Sequence, residues 1–269
     1  MQKPIHRFHR AGRKASYLWN FKLTRRLNDR MLEDVYEMVR PVETEHPLVR
    51  IGGAEDGGYL VPDDLEGVVA CYSPGVADKA DFELEMAARG IPSFMADRSV
   101  EGPPVAHPMF HFEKKFLGSR VDDGTVTLDD WVGRTAPATG DLVLQMDIEG
   151  AEYDVLSTVS PEVLKRFRII VVEFHRLYGL VRRKEHPRIR ATFERLSKDF
   201  AVVHIHPNNA VPVHRFGRHE IPPLLEMTFL RRDRISEMRP ATRFPHPLDR
   251  PNVADMPDFP LPPIWYRRG

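Results

Sequence analysis

Cysteine is almost missing from this chain: Cys71 is the only one among 269 residues. No internal disulfide can form, and a reducing compartment fits. Long apolar runs are missing as well. Nothing approaches the roughly 20 residues that span a bilayer, and no apolar core of a signal peptide follows the basic start. The expected location is the cytoplasm. Net charge is also missing, since 39 Lys and Arg balance 39 Asp and Glu. A global electrostatic case for nucleic acid is thereby excluded. A complete G-x-G-x-x-G fingerprint does not occur, which argues against a dinucleotide-dependent oxidoreductase.

Acidic residues are missing from one region. None precedes Asp29, while Lys3, Arg7, Arg10, Arg13, Lys14, Lys22, Arg25 and Arg26 do. His6, His9, Tyr17, Trp19 and Phe21 interleave with these cations. Such an arm is either a solvated basic helix or a dock for an acidic surface, which would place the protein peripherally at the inner face of the membrane.

What is present is a regular alternation. Leu23, Leu27, Met31, Val35 and Met38 predict a helix within 16–40, ended by Pro41. After a loop with Gly52, Gly53, Gly57 and Gly58, strands are predicted at 68–73, 92–97, 110–117, 142–147, 168–174, 201–206 and 224–231. Helices are predicted at 80–89, 128–133, 151–159 and 187–198. Alternating strands and helices predict an α/β fold with a doubly wound, mostly parallel seven-stranded sheet. Three regions are expected: a basic N-terminal helical extension over 1–47, a central domain over 48–237 and a Pro-rich tail over 238–269. The tail should be extended, lying on the domain or ordered by a partner. Extension and tail are each candidates for a homo-oligomer interface.

In such sheets ligands sit beyond the carboxyl ends of the strands. Gly75, in Ser73-Pro74-Gly75-Val76-Ala77-Asp78, follows the first strand and permits close backbone approach. Asp97 ends the second strand, where an acid can accept hydrogen bonds from ribose hydroxyls. Together they describe a nucleoside crevice without saying which nucleoside. Asp147, at the tip of a later strand, can act as a base, bind a metal or hold the cofactor's amino group. Glu149 is the next candidate, whereas Glu152 suits favourable charge at a helix start. His175 shares a strand face with Glu173 and is placed either as a general base or as a structural histidine. His204 and His206, two residues apart, form with Asp147 a candidate set for a divalent ion, magnesium or manganese. Otherwise one packs and one bonds substrate. Asn208 and Asn209 suit a polyhydroxylated acceptor, and Glu226 is a candidate buried partner for one of these histidines.

The segment Leu142-Val143-Leu144-Gln145-Met146-Asp147-Ile148-Glu149-Gly150-Ala151-Glu152 resembles the hallmark of FkbM-type methyltransferases. Thr127-Leu128-Asp129-Asp130-Trp131 resembles a second element of that family, as do Arg50-Ile51-Gly52 and Asp56-Gly57-Gly58-Tyr59 upstream. The resemblance covers roughly residues 50 to 231, although Ser73-Pro74-Gly75-Val76-Ala77 replaces the more glycine-rich cofactor turn. It implies a Rossmann-like class I fold and S-adenosylmethionine as methyl donor. Ser73, Gly75, Val76 and Asp78 would line its methionine part and Asp97 its ribose. Asp129 would lie near the adenine, while Arg50 and Tyr59 would reach the methionine carboxylate. The implied reaction is O-methylation of a sugar hydroxyl of a glycan or a lipid-linked acceptor, as in polysaccharide biosynthesis. Methylation of a small natural product is an alternative, and a non-catalytic nucleoside-binding module is a third.

Overall fold

A computed structural model describes residues 29–267 of the chain. The basic arm and the first part of the predicted 16–40 helix lie outside these residues. What is described of that helix is α1, Asp29–Met38. It buries Leu32, Val35 and Tyr36, three and four residues apart as a helical stripe requires.

The central sheet has seven strands: β1 Val68–Pro74, β2 Ser93–Ala96, β3 Phe110–Glu113, β4 Asp141–Met146, β5 Phe167–Phe174, β6 Phe200–Pro207 and β7 Leu225–Arg231. Their spatial order is β6-β7-β5-β4-β1-β2-β3. All neighbours are parallel except β7, which runs antiparallel between β5 and β6. From β1 the chain steps outward to β2 and β3, then returns to add β4 on the other side. The reversal puts the topological switch point between β1 and β4, where a crevice must open at the strand ends.

Both faces of the sheet are covered, so its central strands are apolar on both sides. Leu142, Leu144 and Met146 of β4, with Ile170, Val172 and Phe174 of β5, pack in one core beside α1, α3 (Leu128–Thr135), α4 (Glu152–Thr158) and α6 (His186–Asp199). Val143 of β4, with Ile169 and Val171 of β5, joins a second core with α2 (Asp81–Ala88) and the hairpin Leu48–Ile51/Tyr59–Pro62. By alternation, Gln145, Asp147, Glu173 and His175 fall on the α2 side.

The predicted strand over 110–117 is two elements. Phe110–Glu113 joins the sheet, whereas Phe116–Leu117 pairs with Thr125–Val126 outside it. The charged run Glu113-Lys114-Lys115 turns the chain between them. The Pro-rich tail lies on the domain as expected, and it is built into the fold. Met238–Pro240 pairs with Val42–Thr44, and Trp265 is fully buried with its ring edge-on to Tyr36 at 4.8 Å. Among the described residues no helix is long and apolar enough to cross a membrane.

Candidate active site

The crevice begins where β1 and β4 end. Gly75 has φ +88°, and its amide donates to the Ala96 carbonyl at 3.0 Å. The Asp147 amide donates to the Pro74 carbonyl. These bonds draw three strand tips together, so the backbone pressing on Gly75 is that of Asp147. Close approach of a ligand is not what demands the glycine there.

Two cavities share Gly75, Ala77 and Asp147. The larger, of about 560 Å³, is lined among others by Asp97, Phe116, Leu117 and Ile148. That is a volume typical of small-molecule sites. Asp97 is buried in its wall. Its Oδ2 accepts from the Ala77 amide at 3.1 Å, and its Oδ1 accepts from the Ser99 amide and hydroxyl. A carboxylate has about four acceptor positions, so Oδ2 retains one for a ribose hydroxyl. The smaller cavity, of about 70 Å³, is lined by Tyr59, Val76, Asp78 and Gln145, with Asp56 and Lys79. Gly75, Val76, Asp78, Asp97 and Tyr59 therefore line one trench.

Three expected cofactor residues face elsewhere. Ser73 is fully buried and spends its hydroxyl on Gln145 (2.6 Å) and Glu83 behind the wall. Arg50 donates to the carbonyls of Gly53 and Glu55, bracing that loop. Asp129 accepts from the Ser160 amide with both oxygens, at 3.1 and 3.0 Å. It thereby anchors Ser160, whose own hydroxyl caps α5, Pro161–Leu164, and it is not on the wall of the larger cavity. Lys79 is the cation that does line the trench, in the turn before α2.

Asp147 stands at the junction of the two cavities. Its Oδ1 is buried without a hydrogen-bond partner. Burial pushes this carboxyl up to about 7, against the opposing charge of His175 and with help from Glu149, Asp56 and Glu152. His175 lies behind it, with Nε2 3.7 Å from Asp147 Oδ1 and 3.5 Å from Glu149 Oε2. His175 lines neither cavity. Its Nδ1–H donates to Glu152 Oε1 at 3.0 Å. Burial disfavours the charged ring, but Glu152, Asp147 and Glu149 outweigh it and raise the His175 pKa.

Glu152 thus does more than supply charge at a helix start. It is fully buried, and the same Oε1 accepts from the amides of Ile148 and Gly150. That bonding folds the Asp-Ile-Glu-Gly turn, in which Glu149 takes φ +58° and Gly150 φ +113°. Sequence reasoning missed this role. Its one local signal is a glutamate placed where it can reach back over a glycine turn.

His204 and His206 do not reach Asp147. They sit on the edge strand β6, with β7 and β5 between it and β4. Three strand spacings amount to about 14 Å. His204 Nε2 donates to Asp249 of the tail at 2.8 Å. His206 donates from Nδ1 to Glu226 at 3.1 Å and from Nε2 to Asp258 at 3.2 Å. Two carboxylates on two ring nitrogens require both to carry hydrogen, hence a cation. Burial opposes that charge, but Asp258 and Glu226 raise the His206 pKa to about 10. The expectation that Glu226 partners one histidine holds.

Glu226 also stands directly opposite Glu173 in the β5–β7 ladder. Glu173 is pushed well above the carboxylate range by burial, Asp147, Glu226 and Asp56, and accepts from Asn208 at 3.0 Å. Asn209 donates to the tail carbonyls of Val253, Met256 and Pro257. Among the described residues, two groups offer ligand atoms within 4.8 Å of one another: Asp147, Glu149 and His175, and Asp56, Glu173 and Glu226.

Residues 75–200 match the family model described as the methyltransferase FkbM domain. No curated protein matches the chain. A solved structure described as "Human methyltransferase 10 domain containing protein" is similar over 63% of this chain and 75% of its own, at 11% identity and a TM-score of 0.31.

Proposed function

We propose, on the match of residues 75–200 to the methyltransferase FkbM domain, that the protein moves a methyl group from S-adenosylmethionine to a hydroxyl oxygen of a sugar. The observation that carries it is the half-buried Asp147 carboxyl at the meeting point of two cavities, its Oδ1 buried without a hydrogen-bond partner. The larger cavity fits a nucleoside, with Asp97 for its ribose and Phe116, Leu117 and Ile148 as apolar surface for its base. The smaller fits an amino acid end, with Lys79 for a carboxylate and Asp56 for an ammonium. A pyrophosphate would meet Asp56, Asp78 and Asp81 there, which disfavours a dinucleotide.

When bound, S-adenosylmethionine supplies an electrophilic methyl on a sulfonium. The protein's share is to align acceptor and methyl in line and to take a proton. The proton that the acceptor hydroxyl loses on methylation would pass to Asp147. A carboxyl with pKa about 7 is a stronger base than an ordinary carboxylate while still half ionised near neutral pH. His175, oriented by Glu152, sets the charge behind Asp147 and is a positioning residue. The donors available there to a divalent ion are Asp147, Glu149 and His175, and EDTA treatment tests for one.

Calorimetry with S-adenosylhomocysteine tests the reading. Binding to the wild type, weakened about 30-fold in Asp97→Ala through loss of one charged hydrogen bond, is the expected result. Binding of NAD with no response to S-adenosylhomocysteine would sink it.

A further inference from the structure

A third cavity, of about 370 Å³, opens beside the smaller one and shares Asp56 and Lys79 with it. One wall is Glu55, Asp56, Lys79 and Asn208. The opposite wall is the tail, from Asn252 to Asp255. The tail is held there by the sheet: the Asp56 amide donates to the Asn252 carbonyl, Asn252 Nδ2 donates to Glu226, and Asn209 clasps the segment that follows. Asn252 is 6% exposed, yet its Oδ1 has no partner. A buried amide oxygen in a cavity wall is costly unless something donates to it.

The charge of this cavity is one-sided. Glu55, Asp56 and Asp255 line it. Lys79, the cation of the wall, already donates to the Asp56 carbonyl at 3.1 Å with its carboxylate 3.8 Å away. His206 lies buried beyond Glu226 and is neutralised by its two carboxylates.

We infer that this cavity receives the far end of the methyl acceptor, whose reacting hydroxyl lies at Asp147 in the neighbouring cavities, that residues 252–255 of the tail are its selectivity wall, and that the acceptor end entering it is rich in hydroxyl or amine groups and free of anionic ones. The inference rests on the methyltransferase reading and adds to it the acceptor's place and charge. An incoming phosphate or carboxylate would meet like charge in a partly desolvated space. Hydroxyl or ammonium donors would find Asn252 Oδ1 and the acidic wall.

The test uses the full chain, labelled S-adenosylmethionine and four probe sets: methyl hexosides, 2-amino hexosides, the matching uronic acids and hexose 6-phosphates. Neutral and amino members should be labelled at least about tenfold faster than their anionic counterparts. Glu55 and Asp255 are exposed, so the double variant Glu55→Lys/Asp255→Lys should fold. It should shift the anionic-to-neutral ratio upward by at least about fivefold. S-adenosylhomocysteine binding is measured alongside. Failure of that binding sinks the methyltransferase reading itself. Binding with preference for anionic probes, with a ratio unmoved in the double variant, or with no probe labelled overturns the acceptor inference alone.

Discussion

A Cβ placed on Gly75 would lie 1.7 Å from the carbonyl oxygen of Asp147. The obstacle is backbone, so no rotamer change relieves it, and φ +88° adds strain for any L side chain. Gly75→Ala must therefore separate the tips of β1 and β4, which are the floor of the site. The expected cost is at least ~3 kcal/mol of stability, together with loss of S-adenosylhomocysteine binding. Urea unfolding beside Gly102→Ala, where nothing lies within 4 Å of the new Cβ, checks it. Equal stability of the two variants would refute the account.

Asp97 and Asp129 separate in function. Asp97→Ala should weaken S-adenosylhomocysteine as described above. Asp129→Ala should leave that affinity within about twofold and cost about 1–2 kcal/mol, the worth of a hydrogen bond to a charged group. Its carboxylate is spent on the Ser160 amide. A large loss of cofactor affinity in Asp129→Ala would return that residue to the adenine site.

The contrast between these two aspartates shows what the sequence can disclose. Buried central strands are written as continuous apolar runs such as Leu142–Leu144 and Ile169–Val172, so the seven strands and their helices were legible. Gly75, Asp97 and Asp147 were legible because topology places strand ends at the crevice. Partners contributed by distant segments were not. His204 and His206 carry metal-like spacing, yet their carboxylates come from Asp249, Asp258 and Glu226, and no local pattern encodes such pairing. Asp129 and Ser73 sit in family-like motifs, but their side chains satisfy buried backbone and polar atoms instead. Glu152 was misread because a glutamate in a helix's first turn has an ordinary use, and only the fold brings His175 onto it.

Methyl transfer should depend on pH through the Asp147–His175 pair. Below about 7 Asp147 holds its proton and cannot accept another, so the rate should fall as pH drops through that value. Glu152→Gln keeps an acceptor oxygen for the turn but removes the charge that sustains protonated His175. Two effects on Asp147 then oppose each other. Losing Glu152's charge lowers its pKa, while losing His175's charge raises it, and the His175 effect is the larger. The midpoint of the pH–rate profile should move upward. A profile that keeps its midpoint while the rate alone drops would make Glu152 merely structural.

The tail should detach with alkali. The folded pKa of His206 is raised from 6.5 to about 10 by Asp258 and Glu226. A raised pKa means that the folded state holds the proton more tightly than the unfolded one. The resulting stabilisation is complete below about 6.5 and is lost as pH climbs through about 10. Neutral His206 would leave Glu226 facing Glu173 across the ladder without its cation. Thermal midpoints followed by circular dichroism should decline over this window, and limited proteolysis should begin to cut within 249–258. Asp258→Asn removes one of the two raising partners, so its decline should start at lower pH. A wild-type midpoint flat from pH 6.5 to 10, or an Asp258→Asn curve that overlays it, would show that this histidine does not tie the tail to the sheet.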